Sequence, residues 1–125
     1  PQGYNSPMWE VATTSTFDEW FAGIDEQVQI AIAARVELLQ TFGPQLKRPH
    51  ADTLNDSKHP NMKELRIDEQ GRVIRIAFAF DPRRSAILLV AGEKQGTNEK
   101  RFYKQLLAHA DALYDEHLAK LKKKG

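Results

Sequence analysis

Arg75 stands in the run RVIRIAFAF (residues 72–80), where a guanidinium among apolar neighbours is costly to bury unless a counter-charge or a ligand meets it. Strand alternation sets it on the face of Val73, Ala77 and Ala79, opposite the larger Ile74, Ile76, Phe78 and Phe80. Glu64 and Arg66 fall on the matching face of the preceding strand, Lys94 ends the following one, and Lys100, Arg101 and Tyr103 begin the next helix. Converging, these residues form a basic concavity with a phenol at its edge. Fixed cations of that kind suit a phosphodiester, because they stabilise the charge that builds on phosphate as it becomes pentacovalent. Ala77 and Ala79 leave a shallow floor beside Arg75, so this face is expected to stay open, with Arg75 out of the core.

Other chemistries are poorly represented. Cysteine is absent, which excludes disulfides, thiol nucleophiles and cysteine-rich zinc sites. No Ser/His/Asp set or metal signature occurs at a recognisable spacing. His109 and His117 stand eight residues apart on one helix, too far for a metal shared at the usual four-residue step, and read as structural or solvated. His50 and His59 sit in a loop from which either could reach a site as acid or base. Glu64 is open to two readings, a general base or the salt-bridge partner of Arg66. GEKQGTN (92–98) lacks the spacing and the terminal Lys-Ser/Thr of a phosphate loop.

The elements that must position these residues follow from periodicity. MWEVAT (8–13) alternates as a first strand. Ser15 or Thr16 caps a short helix to Ile24, with Glu19 placed for a capping box. Asp25 caps a second helix, whose Val28, Ala31, Ile32, Leu38, Leu39 and Phe42 recur at helical spacing until Gly43 and Pro44 stop it. The two helices are expected to pair as a hairpin. PQLKRPHADTLNDSKHPN (44–61) reads as a long ordered loop braced by Leu46 and Leu54, whose bases Lys47, Arg48 and Lys58 are either solvated loop charges or within reach of an anion. MKELRI (62–67) alternates, DEQG (68–71) signals a hairpin, DPRR (81–84) makes a second turn, and SAILLVA (85–91) is apolar on both faces, as a central strand would be. A helix from Glu99 to about Lys120 carries Phe102, Leu106, Ala110, Leu113 and Tyr114 on one stripe. The fold class is α+β, in the order β-α-α-β-β-β-α, with an antiparallel meander packed against the helix hairpin and a C-terminal helix.

With 125 residues, 41% hydrophobic and 28% charged, the chain has the composition of one soluble domain, set at 8–121. PQGYNSP (1–7) reads as a cloning remnant and 122–125 as a frayed basic tail. No apolar run approaches the roughly 20 residues that span a bilayer, and no secretory signal pattern opens the chain, so a cytoplasmic protein is expected. Net charge is only +1, yet 8–42 are acidic and 43–104 basic, which suggests one face suited to an anion.

The stretch KELRIDEQGRVIRIAFAFDPRRSAILLVAGEKQGTNEKRFYKQ, together with LNDSKHPNMKELR before it and ADALYDEHL after it, resembles the phage-derived HigB-like toxins of the RelE/ParE superfamily. The resemblance implies a RelE-like fold and the toxin of a type II toxin-antitoxin module, an endoribonuclease that cleaves mRNA, usually on the ribosome, without metal or cofactor. By position, Arg75 matches the strand arginine that holds the scissile phosphate, Lys94 the base after the last strand, and Tyr103 the helix aromatic that stacks on or activates the substrate. Lys63 and Arg66 correspond to bases on the preceding strand, and Lys63 or Glu64 would take the 2′ proton. Arg66, Lys58, Lys100 and Arg101 complete the implied RNA-binding set. Lys94 departs from the family, which often has arginine there, and so lacks the bidentate fork. The implied partners are a cognate helix-turn-helix antitoxin and ribosome-bound mRNA, with no membrane. A ParE-like gyrase inhibitor and a noncatalytic module binding an acidic protein are the alternatives.

Overall fold

The structure, a computed structural model, describes residues 9–96 and 98–124. The segment 1–7 and the Met8 start of the first predicted strand lie outside the described residues. Along the chain run β1 (Glu10–Thr13), α1 (Ser15–Ala22), α2 (Glu26–Phe42), a short 3-10 helix (Gly43–Gln45), β2 (Ala51–Thr53), β3 (Lys63–Glu69), β4 (Arg72–Phe80), β5 (Ser85–Glu93) and α3 (Glu99–Lys124). They build one sheet in the order β1-β5-β4-β3-β2, with β1 parallel to β5 and the other pairs antiparallel. The architecture is α+β, and the predicted meander of β3, β4 and β5 is its centre.

Local chemistry sets the boundaries. Thr14, one residue before the predicted caps, is extended and opens α1: its Oγ1 accepts from Phe17 N at 3.0 Å and donates to Leu89 O at 2.6 Å. Asp25 occupies the N-cap of α2 as predicted but makes no side-chain capping bond. α2 stops at Gly43, whose φ of 56° suits glycine and where a β-carbon would run into the Trp9 indole. Gln70 and Gly71, both at positive φ, form the two-residue turn from β3 to β4. In the next turn Asp81 Oδ1 accepts from Arg83 N at 2.9 Å and Ser85 N at 3.0 Å.

The segment predicted as an uninterrupted loop contains β2, three residues paired with β3 through Ala51–Leu65, Asp52–Glu64 and Thr53–Lys63. Three residues are too few for alternation to register. Leu46 and Leu54 are buried and brace the surrounding loop as expected. β2 is an edge strand whose outward N–H groups are occupied: Ala51 N donates to Lys47 O at 3.2 Å, and Thr53 N to the Asp52 carboxylate at 2.8 Å.

Each face of the sheet carries helices. Ile74, Ile76, Phe78, Leu65, Ile67 and Leu88 pack with Phe17 of α1 and Val28, Ile32 and Leu39 of α2. Met62, Ala77, Ala79, Ile87, Leu89 and Val90 pack on the other face against Leu106, Leu107, Ala110 and Tyr114 of α3. A bulge in β5 opposite Ala77 and Phe78 leaves Leu89 as the extra residue, so Leu89 and Val90 both join the α3 side. The face expected to be open is therefore covered. Ala77 and Ala79 supply room for a helix, not a floor for a ligand, and α3 continues through Lys124 where a frayed tail was predicted. Among the described residues no helix is long and apolar enough to cross a membrane.

Candidate functional site

The hairpin register puts Arg66 of β3 directly opposite Arg75 of β4. Two like charges so placed repel, and two carboxylates on the same face answer them. Glu64 Oε2 accepts from Arg66 Nη1 at 2.7 Å, and Asp68 Oδ1 accepts from Arg75 Nη1 at 3.0 Å. Arg75 Nη1 also donates to Ile74 O at 3.0 Å, and Arg75 Nε lies 3.9 Å from Glu64 Oε1. Arg75 is 5% exposed and Glu64 3%, so the expectation that Arg75 stands clear of the core is corrected: it is buried and ion-paired beneath the head of α3. Glu64 Oε1 and Arg75 Nε have no hydrogen-bond partner among the described residues.

Tyr103, in the first turns of α3, completes this group. Partial burial, then the Glu64 carboxylate, push its phenol above the ordinary tyrosine range, while Arg75 pulls the other way. Burial alone would lower the Arg66 guanidinium, but the hydrogen bond and charge of Glu64 outweigh it and raise it.

Between β2 with its following loop and α3 opens a cleft of about 970 Å³. Glu64 and Arg66 lie on its sheet side, Arg48, Asp52 and Leu54 on its loop side, and Lys100, Tyr103, Lys104 and Leu107 on its helix side. The expected uniformly basic concavity is not what forms, for Asp56, Glu99 and Asp111 line the cleft as well. Arg48 is paired with Asp52 at 2.8 Å. Lys100 and Lys104 enter no ion pair among the described residues, so they are the cations offered along the helix wall.

Of the residues singled out from sequence, the structure brings together Glu64, Arg66, Arg75, Tyr103 and Lys100. Lys94 stands at the rim, 2.7 Å from Glu99 Oε1; that bond first, with smaller help from Arg66 and Arg75, holds the Glu99 carboxyl below its usual range. Arg101 is exposed on the first turn of α3 and does not line the cleft. Lys58 is drawn to the far half of α3, where Nζ pairs with Asp115 at 2.5 Å and the backbone N donates to Asp111 at 3.2 Å. It braces the loop. Lys63 is on the wrong face: the odd-numbered residues of β3 point toward α2, and Lys63 lies beside Phe42 and Leu46, with Nζ 3.5 Å from Thr53 Oγ1. A place for it beside Arg75 is thereby corrected.

Three of the four histidines make structural contacts, and His109 is exposed on α3. His59 pairs with Asp115 at 2.9 Å, His117 with Asp81 at 2.8 Å, and His50 with Arg35. Among the described residues no three His, Asp or Glu side chains cluster to hold a metal ion. Sequence reasoning missed Asp68, read only as a turn residue, and the cleft residues Asp52 and Lys104, while Arg48, read as a loop base able to reach an anion, does line the cleft. The DEQG turn held the signal for Asp68, since pairing Glu69 with Arg72 puts Asp68 on the face of Arg75.

Residues 19–115 match the protein family described as "Phage derived protein Gp49-like (DUF891)". The chain is 42% identical over 109 residues to "Putative toxin HigB2" of Mycobacterium tuberculosis (strain ATCC 25618 / H37Rv), a match covering 86% of this chain and 54% of that protein. To "Putative toxin HigB3" of the same organism it is 43% identical over 102 residues, covering 82% of this chain and 87% of that one. The chain thus spans about half the length of the first relative and most of the second.

Proposed function

The chain belongs to the phage-derived Gp49-like family, and on that premise we propose that it is the toxin of a toxin-antitoxin pair, an endoribonuclease that cuts mRNA on the ribosome and so arrests translation and growth. The observation that carries the reading is the meeting of Arg66 and Tyr103 at the wall of an open cleft, with the buried Arg75 directly behind Arg66 and with Lys100 and Lys104 on the helix wall.

In the proposed reaction the ribose 2′ oxygen attacks the adjacent phosphorus, giving up its proton, while the bond to the 5′ oxygen of the next nucleotide breaks and that oxygen takes a proton. The products are a 2′,3′-cyclic phosphate and a 5′ hydroxyl. Arg66 at the cleft wall, with the charge of Arg75 behind it, would neutralise the phosphorane, a contribution of about 3 to 4 kcal/mol for one well-placed donor. Tyr103, kept as the neutral phenol, would stack on a base or donate to a phosphate oxygen. Lys94, Lys100 and Arg101 would follow the backbone on either side. This assignment asks no metal of the protein. The partner is a helix-turn-helix antitoxin, and the compartment is the cytoplasm.

The test is induced expression in a bacterial host. Growth should stop, reporter mRNA should acquire discrete cuts within its reading frame, and co-expression of the adjacent antitoxin gene should restore both. Growth arrest with intact message, or with broken DNA instead, would overturn the nuclease assignment.

A further inference from the structure

Glu64 is the most deeply buried acid of the cleft, and the reaction as proposed gives it no task. One carboxylate oxygen is held by Arg66 at 2.7 Å. The other is turned to Arg75 Nε at 3.9 Å, beyond hydrogen-bond length but well within the reach of charge. A carboxylate so placed between two guanidiniums is a poor acceptor for a ribose proton, because both of its oxygens are turned to cations. Its position does suit another role, because without it Arg66 and Arg75 would face each other across β3 and β4 with only the largely exposed Asp68 to offset them.

We propose that Glu64 is a positioning residue, an internal counter-ion that holds Arg66 and Arg75 as one cationic pair and limits how tightly that pair takes a phosphodiester. The proposal rests on the nuclease reading for the identity of the anion, though not for the state of the free protein. An incoming phosphate meets Arg66 at the cleft wall, with Arg75 adding its charge from behind and Glu64 opposing it, so the cleft binds its ligand against a charge already in place and releases it readily. Tyr103 reports on the same charge, since Glu64 raises its phenol while Arg75 opposes.

Glu64→Gln keeps the shape and removes the charge. In the ligand-free protein, ultraviolet titration of Glu64→Gln against the same variant carrying Tyr103→Phe isolates the Tyr103 phenol, which should ionise at lower pH than in the parent. A noncleavable 2′-O-methyl oligoribonucleotide, followed by fluorescence anisotropy, should bind Glu64→Gln about tenfold more tightly, and inorganic phosphate should compete for it at lower concentration. Glu64→Asp, which keeps the charge, should restore the parental Tyr103 titration; if Glu64→Gln does not fold, parental oligonucleotide affinity in Glu64→Asp together with an unshifted phenol is the expected result. An unchanged Tyr103 titration in folded Glu64→Gln overturns the proposal, as does unchanged or weaker binding of both probes, or a shifted phenol in Glu64→Asp. A parent protein that binds phosphate but not the oligonucleotide sinks the nuclease reading and leaves the titration to decide on Glu64.

Discussion

His117 Nε2 of α3 lies 2.8 Å from Asp81 Oδ2 in the β4–β5 turn, whose other carboxylate oxygen accepts from the backbone N of Arg83 and Ser85. One buried acid thus ties a turn to the last helix. Burial alone would raise the Asp81 carboxyl, but the His117 hydrogen bond and the two backbone donors outweigh it and hold it below its ordinary value. A depressed folded-state pKa contributes stability above the unfolded value, near 3.9, that is lost as pH falls through the folded one. Asp81→Asn is expected to cost about 2 kcal/mol at neutral pH. It should also flatten the acid limb of the stability curve, as measured by urea unfolding from pH 7 downward.

Arg75→Ala is expected to lose activity and stability together, because it empties a buried site and leaves the Glu64 carboxylate to Arg66 alone; the loss should stay below the roughly 3 to 5 kcal/mol of a fully broken buried pair. The double change Glu64→Leu with Arg75→Leu should recover part of that stability, since Arg66 then loses its acid but keeps some access to water, with no return of cleavage. A double-mutant cycle by urea unfolding and RNA cleavage separates the two losses, and recovery of cleavage in the double variant would exclude Arg75 from the reaction.

Lys63→Ala, on the α2 side of the sheet, should leave cleavage within about twofold of the parent and stability within about 0.5 kcal/mol. Lys100→Ala and Lys104→Ala should each weaken oligonucleotide binding and reduce the slope of log affinity against log salt by about 0.7. Binding titrations at several ionic strengths check both statements, and a strong effect at Lys63 would place the RNA on the opposite face.

Gly43→Ala should destabilise the fold by about 2 kcal/mol or more, since it combines a positive φ with a β-carbon driven into Trp9. Thermal unfolding measures the loss. Gly71→Ala, also at positive φ but with open space around it, should cost less.

The sequence made the meander legible because alternation in 63–80 is strict and its two-residue turn fixes the register of Arg66 against Arg75. It could not reveal that α3 closes over Arg75. The apolar stripe of that helix demanded a partner, but Ala77 and Ala79 were as consistent with an open floor as with a helix seat. Lys63 was misplaced where likeness to a family overrode alternation, which by itself sets Lys63 and Glu64 on opposite faces. Lys58 needed the loop path: nothing local in SKHPN tells that its lysine and histidine meet Asp115, more than fifty residues away.

The short edge strand β2 has a bearing on the protein's life at high concentration. A sheet edge recruits foreign strands by presenting donors and acceptors in alternation. On β2 the outward donors of Ala51 and Thr53 are spoken for by Lys47 and Asp52, which leaves an incoming strand carbonyls to bond but no N–H to answer its own. The molecule therefore carries a safeguard against templated self-assembly on the same strand that walls its cleft, and changes to Asp52 aimed at RNA binding would also loosen that safeguard.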